Sequence, residues 1–126
     1  MPMRSQGDFH GIVVEESLRD PSILKEVEIL GRKKGTAWTL LRIGIEGVDS
    51  CRVFERIRQN LKIEDGVPFY AHFYRRGELI VVFPERTFRL TPEKGTWAPA
   101  VTYGRSVGIP ADQLDFLPCR FEDETY

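Results

Sequence analysis

The chain has 126 residues, of which 41% are hydrophobic and 29% charged, with a formal net charge of −1. That length suits one α+β domain spanning residues 1–126, large enough to bury a core without disulfide or metal staples, and the apolar content excludes intrinsic disorder. So small a net charge gives no global attraction to nucleic acid or an anionic membrane, and neither is an expected partner.

A first strand is expected over residues 9–16, where Ile12, Val13 and Val14 are β-branched. Pro21 breaks it, because proline cannot donate to a ladder and biases its predecessor away from helix. Val27 and Ile29 predict a second strand that enters a hairpin loop at Gly31-Arg32-Lys33-Lys34-Gly35. The return strand, residues 37–46, carries apolar residues on both parities and reads as a central strand with both faces at least partly covered. Asp49 or Ser50 can cap a helix in which Val53, Phe54, Ile57 and Leu61 form one stripe.

Beyond Gly66 the pattern predicts a three-stranded meander over residues 68–91. A three-residue loop, Arg75-Arg76-Gly77, would pair Tyr74 with Glu78 and His72 with Ile80. In that register Phe69, Ala71, Phe73, Leu79, Val81 and Phe83 share one face, and Tyr70, His72, Tyr74, Glu78, Ile80 and Val82 share the other. A second helix is expected from an N-cap at Thr96, with Pro99 in its first turn and Gly108, Ile109 and Pro110 ending it. Leu114 and Phe116 should dock on the core, and the acidic tail after Pro118 should fray, as should the N-terminus. The resulting architecture is an antiparallel sheet of about six strands in βββα-βββα order, with two main helices packed on one face. The matching element order and the two basic-then-glycine loops suggest a duplication without residue-level support.

The row Tyr70, His72, Tyr74 is the strongest site candidate. A neutral imidazole between two phenols, with Glu78 near the hairpin end, can hold a polar ligand or serve as an acid or base. The competing reading is ordinary half-covered strand chemistry, in which each ring is buried and its polar tip stays wet. Tyr103 can reach a groove between its helix and the sheet. The basic tips Arg32-Lys33-Lys34 and Arg75-Arg76 could clamp phosphates, although such residues also guard sheet edges. His10, Glu15, Glu16 and Asp20 read as a solvated surface, and Trp38 and Trp97 as packing anchors. Cys51 and Cys119 read as free thiols of a reducing compartment, with no zinc-ligand spacing.

Residues 1–10 lack an apolar signal-peptide core, and the longest apolar run, residues 79–84, is far too short to span a bilayer. A cytoplasmic setting is therefore expected. The chain contains no GxGxxG turn, P-loop or HExxH. No cofactor, metal or catalytic residue is assigned, and an enzyme is not the favoured reading.

Two segments resemble small prokaryotic proteins without an established activity: Thr96-Trp97 through Phe116, and the meander containing Phe69-Tyr70-Ala71-His72-Phe73-Tyr74. The resemblance covers the C-terminal half and implies a bacterial or archaeal cytosolic setting. The functional expectation is a non-catalytic module binding a small molecule or protein through the Tyr70/His72/Tyr74 face. The alternatives are a small enzyme with His72 as general acid or base, and a homo-oligomer with a shared pocket.

Overall fold

The computed structural model describes residues 8–126. The N-terminal fraying expected above lies outside them. Six strands form one antiparallel sheet in the order β2-β3-β1-β6-β7-β8. They are β1 (Phe9–Val14), β2 (Glu28–Lys34), β3 (Thr39–Ile45), β6 (Ala71–Arg75), β7 (Glu78–Phe83) and β8 (Arg86–Leu90). A separate two-stranded hairpin, β4 (Ile63–Glu64) and β5 (Val67–Pro68), lies between the halves in sequence. The helices are α1 (Ser50–Asn60) and α2 (Ala98–Ser106). The α+β class, the six antiparallel strands and the approximate element order are those expected from sequence.

The helix placement differs from the expectation: α1 and α2 cover opposite faces of the sheet. Successive strand residues point to opposite sides, and here each side has its own core. Phe9, Val13, Leu41, Ile43, Phe73, Ile80 and Val82 pack with Val53, Phe54 and Ile57 of α1. Ile12, Tyr74, Leu79, Val81 and Phe83 pack with Trp97, Ala100, Leu114 and Phe116 around α2 and the segment after it. Every residue of Leu79–Phe83 is buried, which requires cover on both faces.

The same fact explains a register correction. The β6–β7 loop has two residues, Arg76 and Gly77, so Tyr74 pairs with Leu79 and His72 with Val81. Gly77 takes φ 76°, a conformation other residues adopt only with strain. The expected three-residue loop assumed one polar face. With two apolar faces, neither register leaves hydrophobic residues in water, and the tighter turn prevails. The β2–β3 turn also shifts. Gly31 through Lys34 remain in β2, and the chain reverses over residues 35–38. Arg32, Lys33 and Lys34 therefore line a sheet edge, where positive charge opposes pairing with another chain.

The halves are also wired differently. In the first, β1 pairs with β3 and passes over β2. In the second, β6, β7 and β8 follow one another as a meander. β1 joins the halves by pairing with β6, placing Gly11 opposite Phe73 and Ile12 opposite His72. A Cβ on Gly11 would lie 2.2 Å from Cδ1 of Phe73, so the missing side chain leaves room for that ring.

α2 begins one residue later than expected. Trp97 occupies the cap position without a side-chain cap bond, and the Thr96 hydroxyl binds the Thr91 and Glu93 carbonyls instead. Its end follows the sequence signal. Gly108 has φ 101°, Gly108 N–H donates to Arg105 O, and Ile109 N–H donates to Gly104 O in a Schellman arrangement.

Candidate functional site

The second face of the sheet is divided by chemistry along its length. At one end His10, Arg42 and Tyr74 meet Glu124, a residue of the tail expected to fray. The Tyr74 hydroxyl donates to Glu124 Oε2 at 2.6 Å, Arg42 Nη1 donates to Oε1 at 3.0 Å, and His10 Nδ1 also contacts Oε2. Arg42 Nε donates to the Tyr126 carbonyl, and Phe121 packs on His10 with ring centroids 4.5 Å apart. The tail is thus a docked strap. Its acidity made it look solvated, whereas Glu124 is its anchor. Burial, and then the Glu124 carboxylate, push the Tyr74 hydroxyl far above its usual range, so it remains a donor.

At the other end lies a cavity of about 580 Å³. Ile12, Val14 and Leu40 reach it from the sheet, Val67 and Pro68 from the β4–β5 hairpin, and Ile109 and Leu117 from the segment after α2. Trp38 and Phe69 also line it, their rings meeting edge to face with centroids 5.0 Å apart. Trp38 is 42% exposed and Leu117 44%, which places both at the rim. The remaining lining residues are Glu64, Tyr70, His72, Gln113 and Asp115.

His72 is only 4% exposed. Its Nε2 lies 2.9 Å from the Pro118 carbonyl oxygen, which can only accept. Nε2 therefore carries the proton, and Nδ1 holds a lone pair. Desolvation lowers the pKa of the ring to about 4, with the Pro118 bond opposing the shift, so the imidazole is neutral near pH 7. Tyr70 donates its hydroxyl proton to Gln113 O at 2.6 Å, and burial raises its pKa.

The predicted site residues are therefore dispersed. Tyr70 and His72 meet at the cavity. Tyr74, 0% exposed, neighbours His72 at 5.9 Å between ring centroids, but its hydroxyl belongs to the Glu124 cluster. Glu78 pairs with Arg75 beside the hairpin turn. Tyr103 packs on Phe83 with ring centroids 4.9 Å apart, and Arg86 lies over its ring. Arg75 and Arg76 border a second depression of about 450 Å³, shared with Arg120 and Glu122. There Arg75 also stacks on Phe9, and Arg120 pairs with Glu93. Trp97 is a packing anchor, as expected; it is buried and donates its indole N–H to Thr91 O. Trp38 is instead a rim residue.

Sequence reasoning missed the cavity wall at β4–β5, although its signal was present. Asp65-Gly66 forms a two-residue turn with φ 53° and 79°, the conformation that favours Asp-Gly, between the apolar residues Ile63 and Val67. The rest of the wall, Gln113 to Leu117, is joined to His72 only by tertiary contacts and leaves no periodic trace.

Fold and geometry together define an antiparallel α+β protein with an apolar cavity that presents a neutral imidazole. Comparison of the chain with protein-family models, with curated proteins and with solved structures finds no match. Among the described residues, no helix is long and apolar enough to cross a membrane. No group of three His, Cys, Asp or Glu residues among them is placed to hold a metal ion.

Proposed function

We propose that this chain is a non-catalytic module that binds a small, mainly apolar molecule in the cavity beside Tyr70 and His72. The observation carrying this reading is the cavity itself. At about 580 Å³ it falls within the size range of small-molecule sites, and its mainly hydrophobic lining with few polar groups matches their usual chemistry. His72 supplies an oriented lone pair, fixed by its bond to Pro118, that can accept one hydrogen bond from a ligand. General acid–base chemistry at His72 has less support, because an imidazole with a pKa of about 4 is a poor base near neutrality.

Thermal-shift screening against a library of small apolar and amphipathic molecules tests the proposal. A stabilising compound is expected, and its effect should be lost in Leu117→Trp, which fills the rim from an exposed position, and reduced in His72→Gln. A shift that persists at full size in both variants would place the ligand elsewhere and overturn the reading.

A further inference from the structure

The charge on the cavity lining narrows the ligand class, on the premise that the cavity is the binding site. Its two formally charged residues among the described ones are Glu64, from the β4–β5 hairpin, and Asp115, from the segment after α2. Both are exposed, so they stand toward the solvent side of a cavity whose floor is formed by buried Ile12 and His72. No lysine or arginine among the described residues lines it, although the chain has 18 of them.

The uncharged polar groups do not offset this negative bias. Tyr70 spends its hydroxyl proton on Gln113 O, and His72 spends its ring proton on Pro118 O, so each offers a lone pair. The Gln113 amide and the Trp38 indole are the neutral side-chain donors on the lining. A carboxylate or phosphate ligand would face two like charges with no cation to receive it. A protonated amine would find two carboxylates and, at the rim, an exposed tryptophan, the aromatic ring that attracts cations best.

We infer that the cavity selects an amphipathic amine, with its apolar body against Ile12, Leu40 and Phe69 and its ammonium head between Glu64 and Asp115. The ligand would need only one protonated nitrogen on a compact hydrocarbon or aromatic body. The shared chemistry is a lipophilic monoamine.

Three probes with the same body and different heads provide the test: 4-phenylbutylamine, 4-phenylbutanol and 4-phenylbutyrate, titrated calorimetrically at pH 7 and low salt. The amine should bind at least about tenfold more tightly than the carboxylate, because at low salt two nearby carboxylates attract the one head group and repel the other. The alcohol should fall between them. In the double variant Glu64→Gln/Asp115→Asn the amine should fall to the affinity of the alcohol, while Glu85→Gln, in the β7–β8 turn, should leave the series unchanged. If the alcohol binds and the amine gains nothing over the carboxylate, the charge inference fails and the cavity proposal stands. If the alcohol and both other probes fail to bind, both fail.

Discussion

On the α1 side of the sheet, the buried cluster from Phe9 to Val82 consists entirely of aliphatic and phenyl side chains, with Phe54 held between Phe9 and Phe73 at ring separations of 5.0 and 4.7 Å. On the α2 side, the same strands present His10, Arg42, His72 and Tyr74 among their apolar residues, and a cavity remains open beside them. Dense hydrocarbon packing supplies stability with little chemical specificity. A face with buried polar groups must find partners for them, and the strap supplies two: Pro118 serves His72 and Glu124 serves Tyr74, while His10 Nε2 is left without one. A densely packed hydrocarbon core and a polar, cavity-bearing face are thus separated onto two sides of one sheet.

Truncation on the first face should have the largest effect. Phe54→Ala is expected to cost about 3–5 kcal/mol in urea unfolding, through lost burial and an unfilled cavity. Cavity ligands should still bind to the fraction that remains folded. A loss below about 1 kcal/mol would mean that the α1 face is not the main source of stability.

Acid comes next and acts on the second face. The unfolded His72 imidazole takes a proton near pH 6.5, whereas the folded one stays neutral down to about 4. Between these values the unfolded chain binds more protons, so stability falls as pH drops through that window. The effect is on the order of 3 kcal/mol when complete. Glu16, Asp20 and Glu55, whose pKa values are lowered by hydrogen bonds, contribute in the same direction, but only below about pH 4.5. His72→Gln should therefore flatten the upper part of the curve, between pH 6.5 and 4.5. Equal slopes in the variant and the parent would contradict a neutral, buried His72.

Tyr74→Phe should be milder, about 1.5–3 kcal/mol, the usual range for one hydrogen bond to a charged group. It should also loosen the strap, increasing amide exchange at residues 119–126 without changing exchange in α1. The smallest change is expected at Arg52→Ala. It removes an exposed pair with Glu26 and should cost less than about 1 kcal/mol.

The fold was more legible than the site because its signals are local. The α1 stripe of Val53, Phe54 and Ile57, the Gly108–Ile109 stop and the apolar strands can each be read within a dozen residues. The register of β6 and β7 was misread because an open face was assumed. Leu79-Ile80-Val81-Val82-Phe83 already implied burial on both sides, by the reasoning applied to β3. The site depended on distant partners. No spacing connects His72 to Pro118, 46 residues away, or Tyr74 to Glu124, 50 away. The sequence pattern suggests an accessible row of rings around His72, whereas the structure buries it at the floor of a cavity.

The contact between Gly11 and Phe73 constrains how this sequence can diverge. Any larger residue at position 11 must displace the ring opposite it, so position 11 can grow only where the ring at position 73 shrinks or moves. Their neighbours Ile12 and His72 form the next rung of the same ladder and turn toward the cavity. Descendants that retain the glycine and the phenyl group would inherit the spacing of the cavity floor, even where rim residues have drifted.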